Sequence, residues 1–222
     1  MSTMSSIIPL PAIESGQSSP RRAPSQKRSR ERVERILTVA AGLIAEGGSD
    51  ALRMSDVAEQ AEISIGSLYQ YFPDKAAIIR SLAERFNAYG LACTERDLEG
   101  VRDLTGLKEA LVHAVDGYYQ MFLELPAMRE IWSGIQADKT LQEIDVADLH
   151  NHAALLERVI TRLRPDIDRK NLPASALVLM QTLCANVRLA ISLERDEGDA
   201  LLVVTKRVLV REVEAEYFGG SV

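Results

Sequence analysis

Apolar residues recur along this chain with a period close to 3.6, so the pattern predicts helices from one end to the other. Val33, Ile36, Leu37, Ala40, Leu43 and Ile44 form an i, i+3, i+4, i+7 stripe. It predicts a helix over about 26–46, closed by Gly47-Gly48. A short helix over 55–61 follows, with Val57, Ala58 and Ala61 on one face. Glu62-Ile63-Ser64 leaves room only for a turn. Ser64 then supplies an N-cap hydroxyl for a second short helix, whose Leu68 and Phe72 point one way. Gly66, Ser67, Gln70 and Tyr71 point the other, and Pro73 disfavours helical geometry at Phe72. Asp74 caps a helix over about 75–95 lined by Ile78, Ile79, Leu82, Phe86 and Tyr89. Further helices are expected over 104–125, 127–136, 141–163, 172–194 and 200–218. The fold class expected is all-α, about nine helices.

Two helices of two turns joined by a three-residue turn cannot persist alone. They must be held by their neighbours and presented to something. The outward face of the second is small, polar and uncharged, which suits insertion into a DNA major groove, where hydroxyl and amide groups meet base edges. The residues Val57-Ala58, Ala61-Glu62-Ile63-Ser64, Gly66-Ser67-Leu68-Tyr69, Tyr71-Phe72 and Lys75 resemble the DNA-binding signature of the tetracycline-repressor (TetR) family of bacterial transcription regulators. Upstream, Ile36-Leu37, Ala40-Ala41, Leu43-Ile44 and Gly47 or Gly48 fit at the expected spacing, so the resemblance covers roughly residues 30–90. Two positions depart from the family pattern. Arg53 stands where Thr or Ser usually caps, which passes capping to Ser55. Glu62 stands where the turn usually has glycine, which implies backbone strain and an acid near the phosphates.

The resemblance implies an N-terminal three-helix domain over 27–90, with its helix-turn-helix at about 53–72. Residues 91–222 would form a helical ligand-binding and dimerisation domain. It implies a homodimeric repressor, rather than an activator, that binds a pseudo-palindromic double-stranded operator and is released by a small-molecule effector. Ser64, Tyr69, Tyr71 and Lys75 are expected to hold phosphates and Ile65, Gly66, Ser67 and Gln70 to face bases, with Arg53 and Ser55 as further DNA-binding residues. The rival reading is a helical ligand-binding protein or enzyme that keeps the fold without operator binding.

Charge adds support. The net charge is −6, yet residues 21–35 hold seven basic and two acidic residues. An acidic body with one basic end would orient on a polyanion by that end. Residues 1–26, rich in Ser and Pro, read as a disordered tail whose Arg21, Arg22, Lys27 and Arg28 either follow the phosphates or solubilise the chain. No apolar run of about 18 residues is evident and Ile7-Ile8-Pro9-Leu10 is wrong for a signal peptide, so neither a membrane span nor export is expected. Cys93 and Cys184 are isolated thiols, in keeping with a reducing cytoplasm.

In the C-terminal part, the helices over 172–194 and 200–218 carry apolar residues on more than one side. A partner would cover the second side. Met180, Leu183, Val187, Ile191, Leu202, Leu209 and Val213 are the expected dimer interface. His113, Tyr118, Met121, Phe122, Trp132, Gln136, Met180 and Asn186 are the pocket candidates by chemistry, and each fits an ordinary core position equally well. His150 and His152 diverge by about 200° on a helix. Asp148 with His152 could share a ligand or form a surface pair. No metal site, cofactor or catalytic residue is expected, since no recognised motif for one is present.

Overall fold

A computed structural model describes residues 23–134 and 138–219. Among these the chain forms nine α-helices: α1 Ala23–Gly47, α2 Met54–Gln60, α3 Ile65–Tyr71, α4 Lys75–Glu99, α5 Leu104–Glu124, α6 Pro126–Ser133, α7 Lys139–Leu163, α8 Leu172–Ser192 and α9 Arg195–Val213. A π-helical turn, Glu214–Phe218, follows. The helix expected over 127–136 begins one residue earlier, with Pro126 in its first turn, and ends at Ser133, where Gly134 caps it. Helix α1 begins at Ala23, and the rest of the span expected as a tail, with Arg21 and Arg22, lies outside the described residues.

The chain divides into two units. One holds residues up to Tyr89 together with Glu124–Ile144; the other holds Gly90–Leu123 and Asp145–Val222. In this first unit the predicted stripe of α1 is its buried face, with Ile36, Ala40 and Ile44 fully enclosed. Gly48 ends that helix in the left-handed region (φ 80°), its amide donating to the Ile44 carbonyl at 2.8 Å. Helix α6 packs on α1 and buries Met128, Ile131 and Trp132. The Trp132 ring lies 6.4 Å from that of Phe86. Arg85, almost wholly buried on α4, is held by an ion pair to Glu34 of α1.

The second unit is built on the α8–α9 hairpin. Only Leu193 and Glu194 connect the two helices, and Gly198 lets their backbones meet. A Cβ there would sit 2.6 Å from the Ala190 carbonyl oxygen. Contrary to the expectation from apolar run length, α8 is long and apolar enough to cross a membrane by length and composition alone. Its apolar residues have a use inside the unit: Ala176, Leu179, Met180, Leu183, Val187 and Ala190 are buried.

That burial bears on the residues expected at a dimer interface. Met180, Leu183, Val187, Leu202, Leu209 and Val213 are all buried within their own chain, and Ile191 is half-buried. The outward sides of the hairpin instead carry Val178 (63% exposed) and Leu189 on α8, and Val203 (63%), Val204 and Val208 on α9.

Candidate functional site

Local hydrogen bonding fixes the geometry of the first unit's short helices. Helix α2 starts one residue earlier than expected, at Met54, with extended Arg53 before it and no side-chain cap. Ser55 therefore sits inside the first turn, and its hydroxyl donates sideways to Asp56 Oδ1 at 2.9 Å rather than capping. The helix closes in a Schellman arrangement: the Ile63 amide donates to the Ala58 carbonyl at 3.0 Å and the Glu62 amide to that of Glu59 at 3.1 Å. This closure demands a left-handed residue, and Glu62 supplies it with φ 55°. The strain expected at this position is real.

Helix α3 begins as its sequence dictates. The Ser64 hydroxyl accepts the Ser67 amide at 3.1 Å. Leu68 and Phe72 turn inward and are buried, while Phe72 is extended and ends the helix ahead of Pro73. The outward surface is then Ile65 (45% exposed), Gly66, Tyr69 (51%) and Gln70, with Ser67 and Tyr71 half-buried. A Cβ on Gly66 would meet nothing within 4 Å, so no group of the chain itself requires glycine there. Asp74 Oδ1 caps α4 by accepting the Ala77 amide at 2.7 Å. Lys75, expected to hold a phosphate, already donates from Nζ to the Asp50 carbonyl at 2.9 Å, leaving two of its three N–H groups. Arg53 and Ser55 are exposed. On α1, Lys27, Arg28, Arg32 and Arg35 are exposed ahead of the buried stripe.

The pocket candidates of the second unit do not converge as a set. His113 is exposed, Trp132 belongs to the core of the first unit, and Gln136 lies outside the described residues. Met121 and Phe122 are buried, and Asn186 is half-buried. Tyr118 meets Phe122 edge-on, ring centres 5.0 Å apart. Met180 lines a cavity of about 20 Å³ with Leu111, Leu156, Thr94, Asp97 and His152, which is room for about one water.

Beside His152 lies a polar cluster that periodicity did not reveal. Arg188 of α8 donates from Nη1 to Asp145 Oδ2 at 2.9 Å, from Nη2 to the other oxygen of that carboxylate, and from Nε to the Tyr118 hydroxyl at 3.2 Å. His152 Nε2 lies 3.6 Å from Asp148 Oδ2, and both are mostly buried rather than a surface pair. Burial, reinforced by the Asp145 charge and opposed by Arg188, pushes the Asp148 carboxyl up to about 7. Burial lowers His152 to about 4 and is the main cause that raises the Cys184 thiol to about 12. One clue was in the sequence: Arg188 is the only charge within the apolar helix 172–192.

A two-turn helix held by a Schellman-closed partner, with its small polar face outward, is the architecture of a helix-turn-helix module. The comparisons agree. Residues 36–82 match the family model described as bacterial regulatory proteins, tetR family, and residues 105–217 match that of the tetracyclin repressor-like C-terminal domain. The chain belongs to the tetR family of bacterial regulatory proteins. It is 40% identical over 63 residues to the HTH-type transcriptional repressor KstR of Rhodococcus jostii, spanning 28% of this chain and 30% of that protein. It thus aligns with under a third of the relative's length. Among solved structures, a TetR-family transcriptional regulator from Streptomyces coelicolor superposes with a TM-score of 0.66 at 26% identity, covering 83% of this chain and 99% of that one. The transcriptional regulator FadR of Bacillus subtilis, solved in complex with stearoyl-CoA, gives 0.61 at 18% identity over 84% and 98%.

Proposed function

We propose that this protein is a homodimeric, sequence-specific transcription regulator, a repressor released from its operator by a small molecule. The outward face of α3 carries the reading: Ile65, Gly66, Ser67 and Gln70 stand where base edges would be, on a helix whose other face is fixed in the core. Ser64, Tyr69, Tyr71, Arg53, Ser55 and Lys75 flank that face and hold phosphates. The basic first turns of α1 add sequence-independent attraction. Two copies enter successive major grooves about 34–36 Å apart on a pseudo-palindromic site.

The dimer forms through the outward sides of α8 and α9, where Val178, Leu189, Val203, Val204 and Val208 present an apolar surface that a second hairpin would cover as a four-helix bundle. The repressor sign follows the resemblance to KstR within the DNA-binding part. FadR holds an acyl-CoA, which supports a small-molecule site in the C-terminal part here without naming its ligand. Helix α4 begins at Lys75 and contributes Thr94 and Asp97 to the cavity. A ligand with higher affinity for one setting of this helix shifts the balance between bound and released states. The site of action is the cytoplasm.

The test is selection of genomic fragments by the purified protein at physiological salt, followed by footprinting. A protected two-fold-symmetric site is the expected result. Binding indifferent to sequence would reject the operator reading.

A further inference from the structure

Three helices of the second unit change character along one common line. On α5, Leu111 gives way to Tyr118; on α8, Met180 gives way to Cys184 and Arg188; on α7, read backwards, Leu156 gives way to His152, Asp148 and Asp145. The apolar ends meet around the small cavity. The polar ends meet at the Arg188 guanidinium. His152 belongs to both, lining the cavity and facing Asp148. Seven or eight helical residues separate the two ends on α5 and α8, a span of about 10–12 Å, which is the reach of a short alkyl chain.

The charge at the polar end selects a head group. Arg188 spends both terminal nitrogens on Asp145 and Nε on Tyr118, so an anion could reach it only by evicting Asp145. Asp148 feels Arg188, whose donors are already spent, and the like charge of Asp145, and the group it faces at 3.6 Å is the His152 imidazole, kept neutral by burial. The groups facing this space are Tyr118 from α5, Asp145, Asp148 and His152 from α7, Cys184 and Arg188 from α8, and Asp97 from α4 at the cavity. Asp145 is matched by Arg188 and Asp97 by Arg96, which leaves Asp148 as the carboxylate with no ion-pair cation of its own, and the complement to it is a cation.

We propose that this line receives an amphiphile with an apolar body and a cationic amine head, the body among Leu111, Leu156 and Met180 and the head at Asp148. The inference rests on the effector reading above and gives that effector its chemical class. The cavity is far smaller than such a molecule, so binding requires the three helices to part. The ligand therefore selects an opened state, as an inducer must.

The experiment is calorimetric titration of the full chain with octylammonium, octanol and octanoate. At pH 8 octylammonium should bind at least tenfold tighter than octanol, with octanoate weakest. Its affinity should fall about tenfold between pH 8 and pH 6, because Asp148 titrates near 7 and must give up its proton to receive a cation. Asp148→Asn should melt no lower than wild type yet lose both the head-group preference and the pH dependence. Tighter binding of octanoate, a preference that survives in Asp148→Asn, or binding of none of the three would each overturn the proposal. Adding the same probes to the operator complex separates the two readings. Release by octanol or octanoate alone would keep the effector and reject its class; octylammonium binding without release would keep the site and reject its regulatory role.

Discussion

Lys75 donates its ammonium to the backbone carbonyl of Asp50 at 2.9 Å, tying the first turn of α4 to the segment that leads into α2. The same side chain is exposed and keeps two donors for a phosphate. Lys75→Ala should lower affinity by a similar factor on every DNA sequence and reduce the salt slope by about one. Gel-shift titrations at several salt concentrations measure this. An affinity loss with an unchanged slope would leave Lys75 only its tie to Asp50.

Gly66 faces open space, so a methyl group costs the folded protein nothing. Gly66→Ala should raise stability by about 0.5–1 kcal/mol through helix propensity. It should also weaken operator binding at least tenfold, because the added methyl occupies the approach to the bases. Thermal melts read the first effect and operator titration the second. Unimpaired binding would remove Gly66 from the DNA-facing surface.

Glu62 holds a left-handed backbone that glycine adopts without penalty. Glu62→Gly should therefore stabilise the protein by about 1 kcal/mol, or leave it unchanged if the added chain entropy offsets the relief. A fall in melting temperature would show that the Glu62 side chain stabilises the turn by a contact of its own.

Leu189→Glu or Val204→Glu, both on the outward side of the hairpin, should yield folded monomers by light scattering. Val187→Glu, fully buried in the protomer, should instead unfold the chain, because an unpaired charge would enter the core. A dimer that survives both outward substitutions would move the interface elsewhere.

The pH dependence of stability has a definite sign at Asp148. Its folded pKa of about 7 lies above the ordinary carboxylate value, so the folded state holds more protons between about pH 4 and 7. Stability from this group is complete below that window and is lost as pH rises through it. His152, lowered to about 4, works the other way: its contribution is present above about 6.5 and is lost on acidification. Asp148→Asn should accordingly gain more over wild type at pH 8 than at pH 5 in urea melts.

Much of this was legible in the residues. Ser64, Asp74 and Gly48 act within a few positions of themselves, so caps and turns could be read locally and stand as expected. The displaced cap at Ser55 shows the limit of such reading, since one residue's shift in the start of α2 moves a hydroxyl from outside the helix to inside it. The side of α8 and α9 that meets their own chain was not legible. Both helices are apolar on two sides, and periodicity cannot say which side is inward. The cluster around Arg188 was hidden for another reason: its members come from three helices, Tyr118 from α5, Asp145, Asp148 and His152 from α7, and Cys184 and Arg188 from α8, and spacing within one helix does not say which faces of different helices meet.

Gly198 against the Ala190 carbonyl makes the corner of the hairpin a contact of backbone on backbone. Side chains can swap rotamers to let helices slide, but two main chains touching have no such slack. The two arms are therefore welded at their shared end, and Val178, Leu189, Val203, Val204 and Val208 behave as studs on a single plate. In the proposed dimer, two such plates face to face would turn against each other without either one bending.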